Sequence, residues 1–467
     1  MLFNSLIFIV FAIIFYIVFK IIGKNIKGRL FWITAASFFF YGWWDWRFLS
    51  LILISGLIDF IAALGIVRFP KQKKLLLILS VAGNIGSLAL FKYSGFVAEN
   101  IDKLLGLQGS FSLAANIPEF FLITPVGISF YTFQSMSYTF DVYRNKLNPT
   151  RSFFQFFAYL SMFPQLVAGP IVRAETILPQ LLKITPVTGE RKWEGFRLVV
   201  SGYFKKMVIA DNLAPLVVAA FSAPEINSSS LFWWGIILAF AFQIYCDFAG
   251  YSDIARGLAI WMGYDFPDNF NHPYISKSVR EFWERWHISL STWFRDYLYI
   301  PLGGNKKGKA RSYLNLWITM LISGLWHGAA WTFIIWGAVH AFFASVERFT
   351  RWPEKIGKSA VAKFVAWLFV TIQVLVAWVF FRAETVGQAW KILKTMFSFQ
   401  GPLSFGWGLD ISIFMSVIIL REIVHAFGFD DKLKPRKPVF EMLFYALLVA
   451  IIVFFRGEGS QFIYFQF

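Results

Sequence analysis

The chain has 467 residues, of which 57% are hydrophobic and only 15% are charged, and its mean hydropathy is +0.59. Soluble domains carry about 25% charged residues, so the composition excludes a soluble globular protein and predicts an all-α protein that crosses a membrane several times. We assign the net charge of +17 to cytoplasmic loops rather than to nucleic-acid binding. The single cysteine, Cys246, excludes an intrachain disulfide bond.

Apolar windows of spanning length follow one another along the chain. The first has no basic segment before it and no small-residue cleavage site after it, so we interpret it as a transmembrane helix and not as a cleaved signal peptide. Several windows are short or interrupted, and we therefore expect roughly ten to twelve transmembrane helices. The windows lie near residues 2–22, 30–45, 48–67, 75–96, 121–140, 196–221, 231–248, 313–326, 329–347, 364–381, 408–424 and 438–455.

The loops between these windows alternate in charge. Those after the first, third and fifth windows are basic, whereas residues 97–119 are acidic on balance and residues 222–230 carry only Glu225. Positive loops stay on the cytoplasmic side of the membrane, so we expect the N-terminus to lie outside the cytoplasm. No internal repeat and no soluble domain interrupts the pattern, which predicts one membrane domain over residues 1–467.

Two apolar stretches contain too much proline and glycine for plain helices. They are "SMFPQLVAGPIVRA" at 161–174 and "CDFAGYSDIARGLAIWMGYDFPDNFNHPY" at 246–274. Broken backbone at membrane depth is tolerated where protein buries it or where it lines a wet cavity. We therefore predict re-entrant segments around a central funnel or tunnel, with ordinary interfacial loops as the alternative.

An ionisable side chain inside an apolar run is a functional candidate, and His327 in "ISGLWHGAAW" fits this description best. Small residues surround it, which would let a helix or a substrate approach closely. We interpret His340 and His425 as structural. The remaining histidines are His272 and His287.

His287 lies in the segment 278–311, which differs from the rest of the chain because charged residues alternate with tryptophan and phenylalanine. An amphipathic helix at the cytoplasmic membrane face has this pattern, and so does a half-buried helix that lines a polar funnel. The cations of the segment suit either the phosphates of a ligand or anionic lipid headgroups. They include Arg280, Arg285, Arg295, Lys306, Lys307, Lys309 and Arg311.

Histidines at polar breaks of a membrane protein suit three chemistries. A metal site is disfavoured, because His287 and His327 are 40 positions apart and neither has a nearby cluster of ligands. A proton relay in a transporter is conceivable with Asp247, Asp253 and Asp265. General acid–base catalysis needs a neutral imidazole, which burial favours. The residues alone leave a transporter and an enzyme equally supported.

Four stretches resemble the membrane-bound O-acyltransferase superfamily and, within it, the bacterial alginate O-acetyltransferase group. They are "TPVGISFYTFQSMSYTFDVYR" (124–144), "YLSMFPQLVAGPIVRA" (159–174), the long block from "QIYCDFAGYSD" to "DYLYIPLGGN" (243–305) and "LISGLWHGAAWTFIIWGAVHA" (321–341). The resemblance implies a catalytic core at 121–349 between N-terminal helices at 1–120 and C-terminal helices at 350–467.

The resemblance also implies the chemistry. It suggests a bacterial inner-membrane enzyme that takes an acetyl group from cytoplasmic acetyl-CoA, without a permanently bound cofactor. The acetyl group would be passed to an exported polysaccharide, with the help of an extracytoplasmic partner protein. His327 in the W-H-G motif and His287 would be the catalytic histidines. The CoA-binding candidates are Arg280, Arg285, Arg295, Lys306, Lys307 and Trp326.

Two alternatives remain at this stage. The first is D-alanyl transfer from a carrier protein to teichoic acid, which the same superfamily performs. The second comes from another class of protein, a transporter or flippase that passes a substrate across the membrane unchanged.

Overall fold

A computed structural model describes residues 1, 3–167, 169–225, 229–357, 359–402, 407–429, 438–459 and 462–463. Every regular element in these ranges is a helix, which confirms the all-α prediction. The chain forms two compact units, one of residues 1–199 and 254–267 and one of residues 200–253 and 268–467.

The first unit contains the N-terminal helices. Its α-helices are α1 (Leu6–Ile22), α2 (Ile26–Asp45), α3 (Leu49–Arg68), α4 (Lys73–Leu88), α5 (Ser94–Leu105), α6 (Glu119–Leu122), α7 (Ile128–Tyr143), α8 (Phe153–Ser161), α9 (Phe163–Leu166), α10 (Ala174–Leu181) and α11 (Gly189–Tyr203), the last of which ends inside the second unit. A π-helix, Ala89–Tyr93, joins α4 to α5.

The second unit contains all five histidines of the sequence. It contains two further π-helices, which are called the first and the second π-helix of this unit. They are Phe204–Ala210 and Arg295–Tyr299. Its α-helices are α12 (Asp211–Ser222), α13 (Ser230–Met262), α14 (Val279–Arg285), α15 (Ile288–Phe294), α16 (Lys309–His327), α17 (Trp331–Thr350), α18 (Trp352–Lys355), α19 (Ala360–Arg382), α20 (Val386–Met396), α21 (Leu409–Ala426) and α22 (Pro438–Phe455). The last residues of α13, 254–262, belong to the first unit.

Several helices are long and apolar enough to span a membrane, in agreement with a multi-pass protein. Among the described residues, five helical segments meet this condition: Ile26–Arg68, Pro70–Leu105, Ser230–Met262, Ala360–Arg382 and Pro438–Phe455. Helix α1 is apolar but shorter, with 17 residues. The total of ten to twelve spans stays a prediction.

The two stretches with predicted breaks differ. Residues 161–174 are broken as expected, since α9 has four residues and the buried segment 170–173 after it is not helical. The prediction for 246–274 is wrong in its first part, because α13 continues to Met262. Gly250 serves close packing there, since an added Cβ would lie 2.7 Å from the carbonyl oxygen of Gly202. Only 263–274 leaves the α-helix.

The segment 278–311 is not a single amphipathic helix. It is divided into α14, α15, the second π-helix, a turn and the start of α16. Ser278 caps α14 by accepting a hydrogen bond from the backbone N–H of Glu281. His287 separates α14 from α15 with a positive φ of 41°, and this interruption prevents the two short helices from merging.

A buried carboxylate joins three helices of the first unit. Asp59 on α3 accepts hydrogen bonds from Ser80 and Asn84 on α4 and from Thr139 on α7. All four side chains are fully buried. Thr139 belongs to the stretch 124–144, so that part of the sequence resemblance has a packing role in this unit.

Lysine–carboxylate pairs stabilise the beginning of the second unit. Lys206 lies 2.8 Å from Asp211 and 2.7 Å from Asp247, and Lys205 lies 2.5 Å from Asp253. These pairs connect the π-helix Phe204–Ala210 to α12 through Asp211 and to α13 through Asp247 and Asp253. Buried charges need such partners, because an unpaired ion in a low-dielectric interior is strongly unfavourable.

Candidate active site

His287 lies at the junction of α14 and α15 and is fully buried. Its φ of 41° places it in the left-handed region, where a non-glycine residue is uncommon. Residues held in such conformations concentrate at functional sites, where the surrounding structure compensates for the strain. The ring packs edge-on against Phe248, with ring centres 4.6 Å apart.

Asn269 fixes the tautomer of His287. Its Oδ1 lies 3.0 Å from Nδ1 of the imidazole and also accepts hydrogen bonds from the backbone N–H and the hydroxyl of Ser289. The backbone N–H of Ser289 can only donate, so its contact settles the orientation of the amide, and Nδ2 then donates to the hydroxyl of Ser252 at 3.2 Å. Because the carbonyl oxygen only accepts, Nδ1 of His287 carries the proton. Nε2 therefore presents a lone pair.

Burial keeps His287 neutral. The residue lies outside the candidate spanning helices, and desolvation lowers its pKa to about 3. An imidazole with this pKa is uncharged at neutral pH. His287 is therefore a hydrogen-bond acceptor at Nε2 and not a donor at both nitrogens.

His327 ends α16 and is buried among aromatic rings. The rings of Trp326, Trp336 and Phe381 contact it with centre-to-centre distances of 5.0, 4.9 and 5.3 Å. Trp326 also contacts His287, at 6.1 Å. The structure therefore brings the two predicted catalytic histidines to one tryptophan, for which the resemblance suggests only a role in CoA binding.

The small residues around His327 allow α16 and α17 to approach closely. A Cβ added to Gly324 would overlap the carbonyl oxygen of Phe333, and one added to Gly328 would overlap the ring of Phe333. A Cβ on Gly337 would overlap the carbonyl oxygen of Met320. The prediction that these glycines permit close helix packing is confirmed, because α17 lies directly against the helix that carries His327.

Three of the five predicted CoA-binding cations form ion pairs with neighbouring carboxylates. Arg280 pairs with Glu284 at 2.8 Å, Arg285 with Glu281 at 3.0 Å and Arg295 with Asp296 at 2.8 Å. Lys306 and Lys307 are exposed in the turn after the second π-helix. Within the described ranges, neither lysine forms an ion pair, so both remain available to an anion.

The other ionisable candidates have local partners. Asp247 and Asp253 form the lysine pairs described above, and Asp265 in the first unit pairs with Arg191. Nδ1 of His272 lies 2.9 Å from Glu422, and its ring stacks on His425. Among the described residues, none of these contacts connects the aspartates with His287 or His327, so the structure offers no support for a proton relay through them.

Sequence reasoning missed Asn269. It lies 18 positions before His287, in an irregular segment, and no helical or strand periodicity relates the two. The only available signal was the polarity of the stretch "DNFNHPY" inside an otherwise apolar block. Its importance depends on a tertiary contact that residue spacing does not reveal.

Comparisons with known proteins identify the family of the chain. The sequence profile of the membrane-bound O-acyltransferase family matches residues 128–384, which include both catalytic candidates. The chain is 40% identical over 408 residues to a probable alginate O-acetylase of Pseudomonas putida, covering 85% of this chain and 81% of that protein. It is 33% identical to a peptidoglycan O-acetyltransferase of Helicobacter pylori, covering 96% and 87%.

A teichoic acid D-alanyltransferase of Streptococcus thermophilus is more distant. It is 30% identical over 232 residues, which cover 47% of this chain and 55% of that protein. The matches with enzymes over most of the chain decide between the two classes that the residues alone left open, in favour of an enzyme. The chain belongs to the membrane-bound O-acyltransferase family and is a multi-pass membrane O-acyltransferase.

Proposed function

We propose that the protein transfers an acetyl group from cytoplasmic acetyl-CoA to a hydroxyl acceptor, for the O-acetylation of an exported polysaccharide. The relatives that cover most of the chain are named as O-acetylases or O-acetyltransferases of alginate and peptidoglycan, which supports an acetyl group and a polymeric acceptor. A partner protein on the extracytoplasmic side would receive or deliver the group. The enzyme would reside in the bacterial inner membrane with its N-terminus outside the cytoplasm.

One observation carries this proposal, namely that two buried imidazoles, those of His287 and His327, both contact the ring of Trp326. Acyl transfer from a thioester to a hydroxyl needs a base that removes the hydroxyl proton as the oxygen attacks. It also needs a second group that orients the attacking oxygen. The pair supplies one buried side chain for each task.

In the proposed reaction, His327 takes the proton of the acceptor hydroxyl while the oxygen attacks the thioester carbon. The carbonyl electrons move onto the carbonyl oxygen to form a tetrahedral oxyanion. Collapse of this species re-forms the carbonyl and breaks the carbon–sulfur bond. The departing CoA thiolate recovers the proton from His327, so the enzyme ends in its starting state.

The tautomer of His287 suits the orienting role. Its Nε2 lone pair can accept a hydrogen bond from the acceptor hydroxyl and hold that oxygen in line with the thioester carbon. The same tautomer is unsuited to stabilising an oxyanion, which requires an N–H donor. This tautomer supports orientation of the acceptor as the role of His287.

The exposed turn after the second π-helix is the proposed entrance for the phosphates of CoA. Lys306 and Lys307 supply point charges there, and Arg295 lies at the start of the same π-helix. Such contacts with phosphate are charge-assisted and stronger than neutral hydrogen bonds. Anionic lipid headgroups are the competing ligand for the same cations.

The decisive experiment uses the purified protein in lipid nanodiscs with acetyl-CoA labelled in the acetyl group. Cell-envelope polysaccharide serves as the acceptor, and transfer of label to the polymer is measured. Loss of the general base in His327→Ala is expected to lower the rate by roughly 10²–10⁴-fold. The matched control is His425→Ala, which removes a histidine stacked on His272, and its rate is expected to stay within about threefold of wild type.

The outcomes distinguish the candidate functions. Equal transfer by wild type and by a correctly inserted His327→Ala variant would contradict the assigned base. A wild-type protein that ignores acetyl-CoA but transfers D-alanine from a carrier protein would replace the proposal by D-alanylation. Movement of an unmodified substrate across the membrane, without release of CoA, would support a transporter instead.

The entrance is tested by Lys306→Gln combined with Lys307→Gln. We expect the KM for acetyl-CoA to rise by roughly three- to tenfold while kcat is unchanged, with a weaker effect at high salt because exposed charges are screened. Lys394→Gln is the matched control, since Lys394 is an exposed lysine on α20. An unchanged KM together with loss of binding to anionic lipid vesicles would assign the turn to lipid headgroups.

A further inference from the structure

Three aromatic rings form a mutually contacting group beside His327. Trp283 on α14 and His340 on α17 have ring centres 4.9 Å apart, and Trp336 lies 4.8 Å from His340 and 5.7 Å from Trp283. Trp336 is fully buried and contacts His327 at 4.9 Å. The group therefore extends directly from the proposed base.

Polar ring atoms in this group have no hydrogen-bond partner among the described residues. They are Nε1 of Trp283, Nε1 of Trp336 and Nε2 of His340, and each is shielded from water. A buried donor without a partner is costly, and most such groups in native proteins are satisfied. Two indole N–H groups left open in one cluster point to a ligand atom that accepts hydrogen bonds.

The proposed reaction creates such an atom. The carbonyl oxygen of the thioester becomes negatively charged when the hydroxyl attacks, and preorganised donors in a dry site stabilise it strongly. His287 is unsuited to this task, because its Nε2 carries a lone pair. An indole nitrogen can only donate, so Trp336 offers an unambiguous donor next to His327.

We propose that Trp336 and Trp283 are the oxyanion donors of this acyltransferase, with their indole N–H groups bound to the carbonyl oxygen of the acyl thioester. The inference rests on the proposed function and adds two catalytic residues to it. The electron pair that leaves the carbonyl bond on attack resides on this oxygen, where the indoles stabilise it. It returns when the carbon–sulfur bond breaks, and the indoles keep their protons throughout.

His340 is the positioning residue of this group. Its ring contacts both indoles edge-on, each at an interplanar angle of 72°. Its Nδ1 lies 3.2 Å from Nε2 of Gln373 on α19, and both side chains are buried. The glutamine thereby fixes His340, whose ring contacts hold both tryptophans in place.

The test compares Trp336→Phe with wild type in the nanodisc assay, with acetyl-CoA as the donor and release of CoA as the readout. The only cysteine, Cys246, is buried, so a thiol reagent reports CoA without interference from the protein. Loss of one oxyanion donor is expected to lower kcat by roughly 10²–10³-fold while KM for acetyl-CoA stays near the wild-type value. Trp283→Phe should show the same pattern, with a smaller fall because Trp283 lies farther from His327.

Two further variants separate the lost N–H from lost packing. Trp233→Phe is the matched control, because Trp233 on α13 is equally buried, packs against Phe221 and is not one of the tryptophans with an unpartnered buried N–H. Replacement of Trp336 by benzothienylalanine keeps the size of the ring and substitutes sulfur for the N–H group. We expect near-wild-type kcat for the control and the full loss of kcat for the sulfur analogue.

Each outcome has one meaning. An active wild type with an equally active sulfur analogue at position 336 overturns the oxyanion donors and leaves the proposed function intact. A fall in kcat for Trp233→Phe as large as that for Trp336→Phe also overturns them, since the loss of a buried indole from the packing would then explain the effect. A wild type that never releases CoA from acetyl-CoA overturns the proposed function, and this inference with it.

Discussion

His287 is held by hydrogen bonds, whereas His327 is held by aromatic rings and by closely packed helices. Asn269 accepts from Nδ1 of His287 and specifies its tautomer, and Ser289 and Ser252 bond to Asn269 in turn. His327 lies at the end of α16, where Gly324 and Gly337 allow α17 to approach and Trp336 contacts the imidazole.

The difference suits the two proposed roles. A residue that orients a hydroxyl must present one lone pair in one direction, and a hydrogen-bonded tautomer achieves this. A base must take up a proton and release it in each cycle. The packing of Trp326, Trp336 and Phe381 positions the ring of His327 for that exchange.

The largest expected effect comes from removing the hydrogen-bond acceptor. Asn269→Leu leaves Nδ1 of His287 without its partner, so the wrong tautomer becomes accessible. We expect kcat for acetyl transfer to fall by roughly 10²–10⁴-fold, as when a catalytic imidazole loses its tautomer-fixing partner in serine proteases. The measurement is kcat in the nanodisc assay.

Asn269→Asp is the matched rescue for this prediction. A carboxylate still accepts from Nδ1, so this variant should retain far more activity than the leucine variant. It should also raise the pKa of His287, because a nearby negative charge favours the imidazolium. Equal losses in the two variants would show that Asn269 acts through packing and not through the tautomer.

The second prediction concerns the close packing of α16 and α17 that positions His327. In Gly324→Ala the added methyl group overlaps the carbonyl oxygen of Phe333, so α16 and α17 must separate. Overpacking of this kind costs about 1–3 kcal/mol of stability, and displacement of the base should lower kcat by roughly tenfold. Gly86→Ala on α4 is the control, because no atom lies within 4 Å of its added Cβ. Equal melting temperatures and rates for both variants would refute the packing argument.

The third effect concerns pH. Burial lowers the pKa of His287 to about 3 in the folded protein, below the usual value of 6.5. The unfolded chain therefore binds more protons below pH 6.5, and stability falls as the pH decreases from 6.5 towards 3, by at most about 1.4 kcal/mol per pH unit. In His287→Gln this contribution is absent, so its melting temperature should depend less on pH over that range. Parallel curves for the two proteins would contradict the neutral, buried imidazole.

Sequence reasoning predicted the helical membrane fold and both histidines, and it did so by different routes. The composition required transmembrane helices, whereas the W-H-G motif and the long block from 243 to 305 pointed to His327 and His287. Their assignment as catalytic residues stays a prediction, but the structure places both beside Trp326.

The misses have physical reasons. Gly250 and Gly257 lie in a stretch that the sequence predicts to be broken. In α13 they instead permit close contact with neighbouring backbone. A single sequence does not distinguish a glycine needed for close packing from one needed for flexibility. Asn269 and Trp336 were missed because their importance arises from tertiary contacts. Neither residue has a spacing from His287 or His327 that a regular element would impose.

The smallest expected effect probes the outer part of the hydrogen-bond network. Ser252→Ala removes the acceptor for Nδ2 of Asn269 and leaves that buried donor unsatisfied. We expect a loss of about 1–3 kcal/mol in stability and a fall in kcat of only a few fold, since Oδ1 still accepts from His287. Ser416→Ala, which removes an exposed hydroxyl bonded within α21, should change neither quantity. A loss of kcat as large as that of Asn269→Leu would mean that the orientation of the amide, and with it the tautomer of His287, depends on Ser252 alone.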